Sequence, residues 1–304
     1  MRPWLVTGAS GFIGRQVLNV LRGKDLQVLA LGRNCPAGWE PGHFVAADFD
    51  FPETIAKAIG EIQPEVVIHA AGQTPPADPT LLYRANTVAT IHLLDSLRAL
   101  RKHCRVVIAG SAAEYGPIDV EDLPVAETYP SRPTEPYGLS KWLATCAGMA
   151  ARAPLEVVSA RIFNPIGPGQ PSNQAFGRFA ASLSAEVHSP LIVGDLESRR
   201  DFLDVRDVAR ALVILGETGR VGLIYNLGSG RSHSVGEGLA HLILRSGRQV
   251  EVLVDPSLFG GSGPKDSRAH VGRIFEHTQW RPEICFERSL DDLWSEVVGR
   301  CVCH

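Results

Sequence analysis

Tyr137 and Lys141 stand four residues apart in the segment PYGLSKW. Residues at this spacing share one face of an α-helix, so the phenol and the ammonium group would lie side by side. A neighbouring cation favours the phenolate, and we expect the pKa of Tyr137 to lie below its ordinary value of about 10. Such a tyrosine can donate a proton to a carbonyl oxygen, or accept one from a hydroxyl, near neutral pH.

Ser111 ends the apolar segment RVVIAGS, which predicts a buried strand. In open parallel α/β sheets, ligands bind at the carboxyl ends of the strands. The Ser111 hydroxyl can therefore hold the same substrate oxygen that Tyr137 serves, although a serine after a strand can also be a turn or cap residue. We predict a catalytic set of Ser111, Tyr137 and Lys141.

Three glycines, Gly8, Gly11 and Gly14, follow the first apolar segment and open a helix predicted over about residues 12–22. Glycine at this spacing permits a tight turn, a close approach of a pyrophosphate and close packing of helix on strand. The helix N-terminus adds free N–H groups and a partial positive charge. The segment TGASGFIG therefore predicts a dinucleotide-binding turn.

The end of the second predicted strand should contact the adenosine ribose of the dinucleotide. An acid there would repel a 2′-phosphate, but this chain has Arg33 and Asn34. Because Arg33 can pair with a 2′-phosphate, NADP(H) is predicted, with NAD(H) as the alternative. Asp48 can accept from the adenine amino group, and the small residues Ala70 and Ala71 leave room for the cofactor.

The alternation of short apolar segments with helical stretches predicts an α/β fold, a Rossmann-type doubly wound parallel sheet with a smaller C-terminal α/β substrate lobe. We assign residues 1–165, with about 203–225, to the dinucleotide-binding domain. The substrate lobe then comprises 166–202 and 226–304.

Composition narrows the classes of partner. The 304 residues carry 30 basic and 33 acidic side chains, a net charge of −3. There is no basic run and no apolar run near the roughly 18 residues of a membrane span, so neither nucleic acid nor membrane is expected as a partner. The six scattered cysteines form no C-x-x-C pair, which predicts reduced thiols, a cytoplasmic protein and no metal site.

The chain resembles the extended short-chain dehydrogenases/reductases of the nucleotide-sugar epimerase/dehydratase family, nearly end to end. The resemblance rests on TGASGFIG, HAAG, GSAAEYG, PYGLSK, ARIFNPIGPGQ, RRDFLDVRDVARA and YNLGSG. Within the family, RIFNPIGPGQ and VGDLESRRDFLDVRDV are most similar to GDP-4-keto-6-deoxy-D-mannose reductases, which reduce a sugar C4 ketone with NADPH or NADH.

The resemblance implies the same catalytic triad, with Lys141 also holding the nicotinamide ribose. It further implies Asn86 as a support near the cofactor, Asn164 beside the substrate and Arg200 near its diphosphate. The other predicted cofactor-binding residues are Ser10, Phe12, Ile13, Gly72 and Ile166, and the other predicted substrate-binding residues are Ala112 and Arg178.

Two departures from the family bear on the reaction and the nucleotide. Dehydratases of the family carry an acid pair where this chain has Ala112 and Ala113, and a methyl group neither donates nor accepts a proton. Glu114 is expected to point elsewhere and Tyr115 to pack in the core, so dehydration is disfavoured. The reductases also carry an Arg-Pro-x-Asp/Glu type segment where residues 260–263 read GGSG, and Lys265 or Arg268 would replace its cation.

We therefore expect reduction of a nucleotide-linked 4-keto-6-deoxy sugar at C4, with Tyr137 as the proton donor. The same triad would serve a 4-epimerase with tightly bound NAD, and a catalytically silent NAD(P)-binding regulator is the third alternative. The family resemblance also implies a homodimer, formed through the helices predicted over about 79–100 and 137–151.

Overall fold

A seven-stranded parallel sheet forms the centre of the computed structural model, which describes residues 3–185, 190–259 and 266–301. Its strands are apolar and largely buried because helices cover both faces. The strands of the sheet are β1 Trp4–Thr7, β2 Val28–Gly32, β3 Phe44–Ala46, β4 Val66–His69, β5 Cys104–Ser111, β6 Leu155–Ile162 and, later in the chain, β11 Ile224–Leu227.

The order of the strands is β11-β6-β5-β4-β1-β2-β3, with every pair parallel. Strands β2 and β3 are added on one side of β1 and the strands from β4 onward on its other side, so β1 pairs with both β2 and β4. In an open α/β sheet, this change of side opens a crevice at the carboxyl ends of the two strands. The predicted fold class is confirmed, and the crevice locates the site.

Ten α-helices are present in the described residues, on the two faces of the sheet and in a second lobe. They are α1 Phe12–Arg22, α2 Pro52–Ile62, α3 Pro79–Leu82, α4 Ala89–Ala99, α5 Pro136–Met149, α6 Ala175–Ser184, α7 Val205–Thr218, α8 Val235–Ser246, α9 Gly272–Thr278 and α10 Phe286–Cys301.

Alternate residues of each strand pack into different cores, as the period of two requires. Val6 of β1 packs in a core with Leu18 of α1 and Leu212 of α7. The adjacent Leu5 packs on the other face, in a core with residues from α2 and α4 such as Ile55 and Leu93. The sheet is thus held between two apolar layers, which fixes the strand ends that form the site.

The second lobe has a core of its own, formed by α6, α8 and α10 around an aromatic cluster that contains Phe176, Phe202 and Phe286. Three short strand pairs accompany these helices. They are β7 Pro165–Ile166 with β10 Leu203–Asp204, β9 Arg199–Arg200 with β12 His233–Ser234, and β8 Leu191–Val193 with β13 Val252–Val254. The division into two domains at the predicted boundaries stays a prediction.

The helix predicted over 79–100 differs in one respect, because residues 83–88 form a π-helical turn between α3 and α4. Asn86 lies in this turn and is 1% exposed. Turns of this type interrupt the i to i−4 ladder and are frequent at functional sites. Across the described ranges, no helix has the length and apolar character that crossing a bilayer requires, and no group of His, Cys, Asp and Glu side chains is arranged to hold a metal ion.

Candidate active site

A cavity of about 820 Å³ opens at the carboxyl ends of the central strands and extends toward the second lobe. Its wall combines the glycine turn after β1, the ends of β4, β5 and β6, and residues of α5 and α6. Many of the predicted site residues line it, namely Gly11, Phe12, Ile13, Gly14, Ala70, Gly72, Ser111, Ala112, Tyr137, Lys141, Asn164, Ile166 and Arg200.

The glycine turn is shaped by close backbone contacts. Gly8 has a φ of +67°, and a Cβ there would lie 2.5 Å from the backbone of Ala70. A Cβ on Gly14 would lie 2.1 Å from the Gly8 carbonyl oxygen. Gly8 therefore serves the turn and Gly14 the packing of α1, which leaves Gly11 and the start of α1 facing the cavity. This cradle fits the pyrophosphate of a dinucleotide.

Helix α5 brings Tyr137 and Lys141 to the cavity wall, one turn apart. It begins with Pro136, whose fixed φ suits the first position of a helix. Gly138 allows a close approach to the turn after β5, because a Cβ there would lie 2.3 Å from the Ala113 carbonyl oxygen. The helix therefore packs directly against the segment that follows Ser111.

Lys141 is anchored by a hydrogen bond from its Nζ atom to the carbonyl oxygen of Ala109, at 2.6 Å. Burial lowers the pKa of Lys141 to about 8, and the negative charge of Glu114 opposes this shift. The ammonium group therefore changes its protonation state closer to neutral pH than an exposed lysine does.

The pKa of Tyr137 is raised, so the expectation that Lys141 would lower it is wrong for this structure. Burial of the phenol is the largest cause, and a hydrogen bond with Ser111 opposes it. The charge of Glu114 adds to the rise. Tyr137 is therefore protonated at neutral pH, which suits a proton donor.

Ser111 stands at the carboxyl end of β5, where a single 3₁₀ turn over 112–114 begins. Its Oγ atom accepts a hydrogen bond from the backbone N–H of Ala113 at 3.2 Å and also bonds to Tyr137. Its own N–H donates to Glu114 Oε1 at 2.9 Å. The hydroxyl is thus both a cap for the turn and a polar group in the cavity wall.

Glu114 and Tyr115 point away from the cavity, as expected, and both are fully buried. Glu114 forms an ion pair with Arg161, and the Tyr115 hydroxyl donates to Asn226 Oδ1 at 2.6 Å. Among the described residues of the cavity wall, none is Asp or Glu. The wall therefore offers no carboxylate for the removal of water from a sugar.

Several predicted cofactor residues lie outside the cavity wall. Arg33 and Asn34 are exposed just beyond β2, where an adenosine ribose would lie. Asp48 caps its own loop, since its Oδ1 accepts from the N–H of Asp50. The exposed Ser10 presents its carbonyl oxygen to Arg15. The contacts predicted for these residues stay predictions.

The Asn86 side chain holds the loop after β4 by hydrogen bonds to its backbone. Its Oδ1 accepts from the N–H of Gln73 at 2.8 Å, and its Nδ2 donates to the Gln73 carbonyl oxygen and to Ser140 Oγ. A Cβ on Gly72 would lie 2.5 Å from Asn86 Oδ1. Asn86 thus joins the wall segment at Gly72 and Gln73 to α5.

The predicted substrate residues divide into two groups. Asn164 and Arg200 line the cavity, and Asn164 Nδ2 donates to the Asp201 carbonyl oxygen at 3.1 Å. Burial lowers the pKa of Arg200, against the nearby charges of Asp195 and Asp266. Arg178, in contrast, is exposed on α6 and does not line the cavity.

Lys265 and Arg268 are the two residues expected to replace the cation of the Arg-Pro-x-Asp/Glu type segment. Lys265 falls outside the described residues. Arg268 is paired with Asp266, at 3.3 Å between Nε and Oδ2, and is absent from the cavity wall.

His69 is a buried residue to which the sequence analysis gave no role. Thr90 Oγ1 donates to the Asn86 carbonyl oxygen, so it accepts from His69 Nε2, and Thr7 Oγ1 in turn donates to His69 Nδ1 at 2.7 Å. Thr7 Oγ1 also accepts from the N–H of Ala71. Burial lowers the pKa of His69 to about 3, so the neutral ring fixes the Ala70–Ala71 turn.

The sequence analysis also gave no role to Gln170 and Gln174, two polar residues of the cavity wall in the second lobe. Gln170 ends the segment GPGQ, and its Nε2 donates to Gln174 Oε1 at 3.2 Å. Its Oε1 is buried without a hydrogen-bond partner among the described residues. Both glutamines line the cavity, where such an acceptor suits a ligand hydroxyl or N–H group.

Comparison with known proteins decides the family. A sequence profile of the NAD dependent epimerase/dehydratase family matches residues 4–228. The chain belongs to this family. It is 31% identical to GDP-6-deoxy-D-mannose reductase of Pseudomonas aeruginosa, over 97% of each chain. It is 29% identical to dTDP-6-deoxy-L-talose 4-dehydrogenase (NAD(P)(+)) of Kitasatospora kifunensis, over 95% of this chain and 94% of that one.

Among solved structures of the family, RMD from Pseudomonas aeruginosa complexed with NADPH superposes with a TM-score of 0.86. It shares 28% identity, and the match covers 99% of this chain and 100% of that one. The predicted resemblance is confirmed, and with it the prediction of a family enzyme that uses a nicotinamide dinucleotide.

Proposed function

We propose that this chain is an NAD(P)H-dependent reductase that converts the C4 ketone of a nucleotide-linked 4-keto-6-deoxy sugar to an alcohol. The observation that carries the proposal is the cavity wall, which unites Ser111, Tyr137 and Lys141 and contains no Asp or Glu among its described residues. The named activities of the two relatives, a 6-deoxysugar reductase and a 6-deoxysugar 4-dehydrogenase, support the same substrate class.

The residues divide the chemistry among them. A reduced nicotinamide, when bound, supplies the hydride for the carbonyl carbon. Tyr137 holds a proton at its phenol oxygen and donates it to the ketone oxygen. Ser111 orients that oxygen by a hydrogen bond, and the ammonium of Lys141 stabilises the phenolate that remains. The raised pKa of Tyr137 keeps its phenol in the protonated form at neutral pH, and the Lys141 ammonium offsets the weaker acidity of that phenol.

The cofactor pocket is proposed to take NADP(H), with Arg33 pairing with the 2′-phosphate. Arg33 is exposed beyond the end of β2, and no acid stands at that strand end. Arg200 is proposed to bind the diphosphate of the substrate, since it is a cation in the described part of the wall on the side of the second lobe.

We propose a homodimer with an interface on the outer face of α4 and α5. Val88, directly before α4, and Ile91 on α4 are 39% and 38% exposed, and Leu139 and Leu143 on α5 are 36% and 40% exposed. A second copy would cover these apolar side chains. We also propose a cytoplasmic protein, because the described cysteines Cys35, Cys146 and Cys285 are thiols outside any disulfide.

The decisive experiment is a screen of GDP-, dTDP-, UDP- and CDP-linked 4-keto-6-deoxy sugars, with NADPH and NADH consumption followed by absorbance. One reduced cofactor consumed for each ketone lost would support the proposal. Interconversion of two 4-hydroxy sugars by protein-bound NAD⁺, without added reductant, would instead identify a 4-epimerase. Binding of the dinucleotide with no turnover of any sugar would favour a silent regulator.

A further inference from the structure

The ion pair of Glu114 and Arg161 is the most deeply buried of the described ion pairs. Their side chains are 0% and 2% exposed, and the distance from Arg161 Nε to Glu114 Oε2 is 3.1 Å. Burying two charges costs free energy that their attraction does not reliably return, so apolar residues of the same volume are often as stable. The location of this pair therefore calls for a function other than stability.

One oxygen of Glu114 joins two elements that carry proposed catalytic residues. Oε1 accepts from the backbone N–H of Ser111 at 2.9 Å and from Thr145 Oγ1 at 3.1 Å. Thr145 follows Tyr137 and Lys141 at intervals of four residues, so all three lie on one face of α5. The carboxylate therefore ties the end of β5 to that face of the helix.

Arg161 connects the ion pair to the loop that precedes α5. It lies on β6 beside Gly110 of β5, and its Nη2 donates to Ser131 Oγ at 2.5 Å. Its guanidinium lies 4.2 Å from the ring centre of Tyr115 and 5.3 Å from that of Trp142 on α5. The pair thus contacts the strand end, the entering loop and the helix.

We propose that the Glu114–Arg161 ion pair is a positioning device, which fixes Ser111 relative to Tyr137 and Lys141 without contacting substrate. The inference rests on the proposed function of those three residues. The pair lies behind the catalytic wall, and neither of its members lines the cavity. The charge of Glu114 also adds to the rise of the Tyr137 pKa and opposes the fall of the Lys141 pKa that burial causes.

The test uses two double variants that differ only at residue 114, where one keeps an amide oxygen as a hydrogen-bond acceptor and the other has none. Glu114→Leu/Arg161→Met replaces the pair with apolar groups of similar volume, whereas Glu114→Gln/Arg161→Met keeps an oxygen for the Ser111 N–H and for Thr145. We expect the Leu/Met variant to lose tenfold to a hundredfold in kcat, with an unchanged Kd for NADPH. The Gln/Met variant should retain a larger kcat. Equal kcat in the two variants, or a wild-type value in the Leu/Met variant, would overturn the proposal.

A matched control separates positioning from stability. Asp207 is likewise fully buried, pairs with Arg210 at 2.6 Å and accepts from the N–H groups of Glu283 and Ile284, outside the cavity wall. Asp207→Asn should lower the Tm and leave kcat per folded molecule unchanged. The Leu/Met variant should also move the alkaline limb of its pH profile to lower pH, because the charge that raises the Lys141 pKa is gone. An alkaline limb of the Leu/Met variant at the same pH as in the wild-type protein would count against the proposal.

A crystal structure of the Leu/Met variant distinguishes failure of this inference from failure of the proposed function. If the wild-type protein turns over no 4-keto sugar, the proposed function fails. The crystal structure of the Leu/Met variant then tests the positioning role of the ion pair by itself. A displaced Ser111 relative to the Tyr137 phenol would support positioning. Ser111 and α5 in their wild-type arrangement would refute it.

Discussion

Lys141 and Ala109 are joined by a 2.6 Å hydrogen bond from the ammonium to the backbone carbonyl oxygen. This contact anchors the lysine to the strand that ends in Ser111, while burial lowers its pKa from 10.5 to about 8. The charged state that stabilises the phenolate is thus complete only below that value. The same depression makes folding stability rise with pH between the two pKa values, because the unfolded chain binds the extra proton.

We expect kcat for ketone reduction to fall as the pH rises through about 8, where Lys141 loses its proton. Lys141→Met should remove this alkaline limb and lower kcat by about 10²-fold. The measurement is a pH–rate profile of both proteins at saturating cofactor. Lys24→Met, which breaks an exposed pair with Glu217, is the matched control and should keep the wild-type profile.

Tyr137→Phe should lower kcat by about 10²–10⁴-fold, because the phenol that gives the proton to the sugar oxygen is lost. Tyr115→Phe is its control, since Tyr115 lies in the adjacent core and its hydroxyl contacts Asn226. That variant should lose about 1 kcal/mol of unfolding free energy and keep its kcat. Steady-state kinetics and thermal unfolding measure the two effects. Wild-type turnover by Tyr137→Phe would remove it from the proton-donor role.

Arg33→Glu should raise the KM for NADPH about 10- to 100-fold and affect the KM for NADH far less. The reason is the loss of one charge-assisted hydrogen bond to the 2′-phosphate, worth about 1.5–3 kcal/mol. Arg288→Glu, on the exposed surface of α10 and paired with Asp292, controls for the change of net charge. An equal effect on both cofactors would show that Arg33 does not read the phosphate.

Leu139→Glu/Leu143→Glu should shift the protein from dimer to monomer in analytical ultracentrifugation, because charges on the exposed face of α5 would be buried by a second copy. Leu244→Glu offers a matched control, since Leu244 is 79% exposed on α8, away from that face. A wild-type chain that sediments as a monomer would contradict the proposed homodimer.

The elements with local signals were predictable from the sequence. The glycine triplet and the apolar pattern after it gave α1 at residues 12–22, as observed. The same reasoning could not detect the π-helical turn at 83–88, because such a turn is defined by its backbone hydrogen bonds and no residue type in the sequence marks it.

Within the site, long-range contacts set the limit of prediction. The expectation that Glu114 points elsewhere than the alanine pair followed from its offset by one position, but its partner Arg161 is 47 positions away in the chain. The direction of the Tyr137 pKa was missed because burial, which depends on the packing of α5 against β5, outweighs local charge. The segments around Gln170 and His69 were noted, but their contacts depend on tertiary structure.

The lack of a carboxylate in the described part of the cavity wall has a consequence for metabolism under the proposed function. A reductase whose pocket cannot remove water from a sugar must receive its 4-keto sugar already formed. Two separate proteins would then divide the pathway, and the reactive ketosugar would have to travel from the first to the second. Its survival in transit depends on how quickly the second protein captures it, which makes capture rate a property on which selection can act.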